Sequence, residues 1–150
     1  MKKTILTISM MLAVALTATS AFANDGSEFA SKAQTSFGSN FSSARNVSWQ
    51  TEKNFAKATF TMSNQVMFAY YNEDGELMAV VRNILSEQLP INLQTDLKKN
   101  YSDRWISDLF EVASEGQTSY FVTVENANET ITLKSTDFDS WSVYKKVKKA

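Results

Sequence analysis

The spacing of apolar residues changes along this chain from a period of four to a period of two. Phe29, Ala33, Phe37 and Phe41 recur every four residues between polar neighbours, which predicts an amphipathic helix with an aromatic stripe. After Asn46 the apolar residues alternate with polar ones, as they do in strands with one buried face. The predicted strands begin around Val47 and Trp49 and continue over residues 56–62, 66–71 and 77–81.

A second helix and a second group of strands follow. Leu89-Pro90 marks a helix start, because proline is well tolerated in the first turn. Leu93, Leu97 and Tyr101 then continue at intervals of four. Further strands are predicted over residues 105–112, 119–125 and 130–134, and a last one around Trp141, Val143 and Tyr144.

The two groups of elements match at similar spacings, 56 positions for the helix and tryptophan residues and 53 for the turn. Phe37, Phe41 and Trp49 correspond to Leu93, Leu97 and Trp105, and the turn at Gly75-Glu76 corresponds to Asn128-Glu129. We therefore predict an α+β fold made by tandem duplication of a helix plus antiparallel strands, with repeats of about residues 24–83 and 84–150. The helices are expected on one face of an antiparallel sheet.

The N-terminus has the three parts of a secretory signal peptide. Lys2 and Lys3 precede an apolar stretch that starts at Ile5, and Ala21 and Ala23 supply the small residues that a signal peptidase reads. Residues 1–23 are the predicted signal peptide and residues 24–150 a single exported domain, periplasmic or secreted. The apolar stretch is shorter than a transmembrane anchor requires, which favours a cleaved signal peptide. No membrane span is expected after cleavage.

Composition disfavours several chemistries. The chain has no histidine and no cysteine, so the usual general base, thiol catalysis and most zinc sites have no side chains to carry them. A net charge of −1 argues against nucleic-acid binding. The acidic turn at residues 73–76 and the pair Asp137 and Asp139 lack calcium-loop spacing. We predict no cofactor, no metal and no enzymatic activity, and we interpret the lysines of residues 145–149 as a solvated tail.

Several motifs resemble a known family. They are Val47-Ser48-Trp49, Ala58-Thr59-Phe60, Ala69-Tyr70-Tyr71, Gly75-Glu76-Leu77 and Leu89-Pro90. Together they resemble the exported PepSY-like proteins of Bacteroidetes, whose fold is like that of the β-lactamase inhibitor protein. The resemblance implies this fold. It implies no activity and no inhibition of β-lactamase.

The remaining functional signal is a set of side chains predicted to lie on the sheet face away from the core. Strand alternation assigns these residues to it: Lys57, Thr59, Thr61, Tyr71, Arg82, Phe121, Thr123 and Lys134. An aromatic ring on an open sheet face can anchor a partner, while ordinary cross-strand packing is the alternative. The predicted function is a non-catalytic module that holds a protein or peptide on this face. The alternative is a small-molecule or envelope-polymer binder that uses a cleft between the two repeats.

Overall fold

The computed structural model describes residues 26–150, and the predicted signal peptide at residues 1–23 lies outside them. Two α-helices and eight strands follow one another along the chain. Their bounds are α1 Gly26–Asn40, β1 Arg45–Thr51, β2 Ala56–Met62, β3 Gln65–Tyr71, β4 Leu77–Asn83, α2 Ile91–Asn100, β5 Trp105–Ser114, β6 Gln117–Glu125, β7 Glu129–Ser135 and β8 Ser142–Lys148. Within the described part, neither helix is long and apolar enough to cross a membrane.

All eight strands form one antiparallel sheet in sequential order, from β1 at one edge to β8 at the other. The β2–β3 and β5–β6 connections are two-residue turns, in which Ser63, Asn64, Glu115 and Gly116 all have positive φ. Turns of this kind match the right-handed twist of the strands that they join. The sheet therefore grows by local hairpins, apart from the β4–β5 connection that contains α2.

The prediction of a tandem duplication of helix plus strands is wrong. β4 pairs directly with β5, from Val80 opposite Ala113 to Asn83 opposite Phe110. The sheet thus runs without a break across the predicted boundary between residues 83 and 84, and one continuous eight-stranded sheet with two helices is the architecture. Periodicity reports only local structure, so it could not show that the two groups of strands share a ladder.

The matched turns also differ. Gly75 has a φ of 79°, whereas Asn128 is not among the positive-φ residues of the described chain. In the second turn the side-chain Oδ1 of Asn126 accepts the backbone N–H groups of Asn128 at 2.9 Å and Glu129 at 3.0 Å. Asparagine supports this turn through its side chain, and no left-handed residue is needed.

Two apolar clusters form the core on the face that carries the helices. In the first, Ala33 and Phe37 of α1 pack with Ala58, Phe60 and Tyr71 of the sheet. The second gathers residues of α2 with its loop and with strands β5 to β7: Ile84, Leu89, Leu93, Leu97, Leu109, Tyr120, Val122, Val124, Ile131 and Leu133. The helical stripe and strand alternation identified the core residues Phe37, Phe60, Leu93 and Val122 correctly. We call this side of the sheet the helix face and the other side the open face.

The C-terminal lysines belong to the sheet. Lys145, Lys146 and Lys148 lie in β8, an edge strand exposed along its whole length. Lys146 Nζ lies 2.7 Å from Glu129 Oε2, and Lys149 Nζ lies 2.6 Å from Glu125 Oε2. The lysines of β8 are solvent-exposed, as predicted, but they lie in a paired strand and not in a tail. Lysine along an edge strand also discourages pairing with a strand of another molecule.

Candidate functional site

Six of the eight predicted face residues share the open face. Residues paired on neighbouring strands lie on the same face of the sheet: Thr59 pairs with Phe68, and Phe68 with Val81. Two residues further along β4, Asn83 pairs with Phe110, which pairs with Phe121 and so leads to Lys134. Because side chains on one strand alternate between faces, the residues on this side are Lys57, Thr59, Thr61, Phe121, Thr123 and Lys134.

Tyr71 lies on the helix face instead. It is fully buried in the first cluster, where its ring lies 5.9 Å from that of Trp49. Burial raises the pKa of its phenol. The strand from Gln65 to Tyr71 is apolar at nearly every position, so its sequence contains no alternation that could reveal its register.

Arg82 also lies on the helix face, opposite Glu111. Its Nε donates to Glu111 Oε1 at 2.9 Å and its Nη2 to Glu111 Oε2 at 3.1 Å. The pKa of Arg82 is raised, chiefly by this hydrogen-bonded carboxylate. A bidentate ion pair of this kind stabilises a cation beside the core. Strand alternation alone had assigned the Arg82 side chain to the open face.

The open face carries an aromatic array that the sequence prediction identified only in part. The rings of Phe110 and Phe121 stack at 5.2 Å with an interplanar angle of 9°. Tyr144 of β8 meets Phe121 edge-on at 5.6 Å. Phe110 was missed because it adjoins Leu109 in an apolar pair, and Tyr144 because a register shift in β8 displaces its position. We call Phe110, Phe121 and Tyr144 the aromatic array.

The array has a buried base and an exposed rim. Phe110 is 7% exposed and Val81 5% exposed, although no helix of residues 26–150 covers this face. Neighbouring side chains on the sheet must therefore close over them. Phe121 is half-buried, and Tyr144 is exposed at the margin. Rings held in this way present a rigid apolar surface to the solvent.

Two lysines lie over aromatic rings of the open face. Lys57 Nζ is 5.4 Å from the ring centre of Phe68, and Lys134 Nζ is 5.4 Å from that of Phe121. A cation at this distance is attracted by the ring quadrupole. The interaction holds each ammonium group beside an apolar surface, and neither lysine forms an ion pair with another side chain of residues 26–150.

The acidic residues considered as metal ligands lie in two hydrogen-bonded loops. Asn72 Oδ1 accepts the N–H groups of Asp74 at 3.1 Å and Glu76 at 2.9 Å, which shapes the β3–β4 turn. Asp137 Oδ1 accepts the N–H groups of Asp139 and Ser140, and these bonds lower the pKa of the Asp137 carboxyl. Within residues 26–150, no group of three or more acidic, histidine or cysteine side chains could hold a metal ion.

Two shallow hollows lie near the start of β5, each with a volume of about 310 Å³. The first lies between the C-terminal end of α2 and strands β5 and β6, and is lined by Leu97, Tyr101, Arg104 and Val124, among others. The second lies beside Leu85 and Asp108. Burial raises the pKa of the Asp108 carboxyl. Lys98 and Ser102 also line the first hollow, and Ser86 and Ser107 line the second.

No family model and no curated protein matches the sequence. Solved structures do. A BLIP-like protein from Bacteroides fragilis superposes with a TM-score of 0.70 at 14% identity and covers 80% of this chain and 87% of its own. A DUF2874 family protein from Bacteroides ovatus gives 0.69 at 16% identity, with 78% and 85% covered. A candidate periplasmic protein from Bacteroides eggerthii gives 0.69 at 15% identity, with 78% and 86% covered. These likenesses show that the chain has a BLIP-like fold, that is, a fold like that of the β-lactamase inhibitor protein.

Proposed function

We propose that this protein is a non-catalytic binding module that holds a protein or peptide partner on its open face. The observation that carries the proposal is the aromatic array, which lies on a sheet face that no helix of residues 26–150 covers. Interfaces obtain most of their affinity from a few aromatic anchors set in packed surroundings. Phe121 fits this description, since it stacks on a buried ring and is itself half-buried.

The array is also preorganised. Phe110 and Phe121 lie on neighbouring strands of a continuous ladder, so binding would require little loss of side-chain freedom. A rigid anchor lowers the entropic cost of association. Thr123 lies beside Phe121 on the same side of β6, and Thr59 and Thr61 lie farther across the open face on β2. Their small side chains leave room for a partner and offer hydroxyl groups to it.

The proposal includes export. The N-terminal pattern predicts removal of residues 1–23, and one of the similar solved structures is described as a candidate periplasmic protein. We therefore place residues 24–150, as one domain, in the periplasm or outside the cell. The shared fold and the sequence motifs also support a relationship to the exported PepSY-like proteins.

The mature protein should begin at Asn24, because Ala21 and Ala23 occupy the positions that signal peptidase recognises. Intact-mass measurement of the protein exported by a bacterial host tests this. Replacing Ala23 with a large residue such as tyrosine should block processing and leave a product that retains Met1. Efficient processing of that variant, or a wild-type product that retains Met1, would contradict the proposed export.

The absence of catalysis is supported by the full sequence and by the pairing of its charges. Without histidine and cysteine, a catalytic site would depend on carboxylates, lysines or hydroxyls. Several of the part-buried carboxylates are already paired, such as Glu111 with Arg82 and Glu129 with Arg104. Lys146 and Arg104 lower the pKa of the Glu129 carboxyl, which makes Glu129 a poor general acid at neutral pH.

The alternative is a small molecule or envelope polymer bound between the two helix-covered clusters. The Arg82–Glu111 pair lies in the strands between those clusters, and the hollows described above lie elsewhere. We therefore favour the open face. Thermal stabilisation by a small ligand, lost in Arg82→Ala and unaffected by Phe121→Ala, would support the alternative and contradict the proposal.

Phe121→Ala should weaken partner binding by about 1–3 kcal/mol, which is roughly 5- to 150-fold in Kd. The free energy of unfolding should fall by about 1–3 kcal/mol, because the half-buried ring makes two aromatic contacts, with Phe110 and Tyr144. Quantitative capture of a stoichiometric protein partner from periplasmic extract measures the binding, and urea denaturation measures the stability.

The matched control is Phe138→Ala. Phe138 is 40% exposed and contacts Tyr120 of the helix face, so its loss should leave partner binding unchanged. If Phe121→Ala unfolds the protein, or if both variants bind alike, the open face is not the binding surface.

A further inference from the structure

The open face has a charge opposite in sign to that of the whole chain. The sequence carries a net charge of −1, yet the strands contribute Lys57, Lys134 and Lys145 to this face. None of these three takes part in an ion pair of residues 26–150. Positive charge is therefore concentrated on one side of an acidic protein.

The carboxylates do not balance these lysines. Glu125, on the open side of β6, lies 2.6 Å from Lys149 Nζ and is neutralised by it. Asp108 is the other acidic residue on this side of the central strands, opposite Thr123. Glu111 and Glu129 lie on the helix face and are held by Arg82 and Arg104. The strands of the open face thus keep a surplus of cations.

The register of the sheet sets the distance between the two lysines that lie over aromatic rings, Lys57 and Lys134. Lys57 is on β2 and Lys134 on β7, which are five strand spacings apart, or about 24 Å at roughly 4.8 Å per strand. Register places Lys134 level with Thr61, so Lys57 is also displaced from it by about 14 Å along the strands, at about 3.4 Å per residue. The two components give a separation of about 28 Å, which an extended segment of about eight residues running obliquely across the strands would span. Between the two lysines it would pass over Phe121.

We propose that the partner presents an acidic peptide segment, whose carboxylates pair with Lys57 and Lys134 while an apolar side chain rests on Phe121 and Tyr144. This inference rests on the proposed binding function of the open face. Opposite potentials on two surfaces accelerate encounter and fix register, and carboxylate pairing at a partly exposed surface weakens as salt rises. A nucleic acid is the less suitable polyanion, because the protein as a whole is acidic.

Selection from a random 12-residue peptide display library on the immobilised mature protein tests the inference. The enriched peptides should contain paired Asp or Glu residues about eight positions apart, with an aromatic or aliphatic residue between them. A synthetic peptide from that pool should bind the double variant Lys57→Gln/Lys134→Gln at least tenfold more weakly, and 0.5 M NaCl should reduce the wild-type affinity. The control Lys98→Gln/Lys99→Gln removes two exposed lysines from α2 and should bind like the wild type.

The outcomes separate the two proposals. Neutral apolar peptides that bind through Phe121 and ignore the lysine substitutions would overturn the acidic partner and leave the binding face intact. Basic peptides with the same dependence on Phe121 would do likewise. Peptides insensitive to both Phe121→Ala and the lysine variant, or a pool with no enrichment, would overturn both proposals. Heparin or a DNA duplex that binds at the lysines while no acidic peptide does would also overturn the peptide assignment.

Discussion

Phe37→Ala is expected to lower the free energy of unfolding by about 3–5 kcal/mol, the usual cost of removing a buried aromatic ring. Phe37 is 7% exposed and lies at the centre of the first cluster. Its ring is 5.0 Å from that of Phe60, 5.2 Å from Phe41 and 5.4 Å from Trp49. Truncation therefore leaves a cavity under α1 and removes three aromatic contacts at once. Urea denaturation of the purified mature protein, followed by tryptophan fluorescence, measures the loss.

Two variants control this result. Phe55→Ala removes a half-buried ring whose aromatic neighbour is Tyr70, so its cost should be clearly smaller. Phe41 belongs to the same helical stripe as Phe37, but it is only half-buried. Phe41→Ala should therefore cost less than Phe37→Ala. A change under about 1 kcal/mol for Phe37→Ala would mean that α1 is not docked on the sheet.

Gly75→Ala is expected to cost about 2–5 kcal/mol. Gly75 has a φ of 79° and is buried against α1. A methyl group at this position would lie 2.8 Å from Lys32 Cβ and 2.9 Å from the Lys32 backbone carbon. The left-handed conformation contributes about 1–2 kcal/mol, and overpacking against a helix backbone that cannot yield adds about 1–3 kcal/mol. The β3–β4 turn and α1 therefore hold each other in place through the absence of a side chain.

Gly116→Ala separates the two causes. Gly116 has almost the same φ, 76°, in the β5–β6 turn, but a methyl group there would meet no atom within 4 Å. It should therefore cost only the conformational part, about 1–2 kcal/mol. Thermal and urea unfolding of both variants give the comparison. Equal losses would show that the contact between Gly75 and Lys32 contributes nothing.

The sequence by itself determined the type and order of the elements. A stripe with a period of four and strands with a period of two are local patterns, and each predicted helix and strand has a counterpart in the structure. The same alternation assigned Thr59, Phe121 and Lys134 to the open face correctly. Burial of one side of a strand is visible in the sequence, because every second residue is then apolar.

Tertiary structure decided what depends on contacts between distant segments. The pairing of β4 with β5 merged the strands into one sheet, and no local pattern records which strand lies beside which. The apolar run of β3 is compatible with either face assignment, so its sequence could not place Tyr71. Pairing with the neighbouring strands puts Tyr71 on the helix face. Arg82 could turn toward the core because Glu111, far along the chain, lies opposite it. The aromatic array likewise exists only because the register of β5, β6 and β8 brings three rings together.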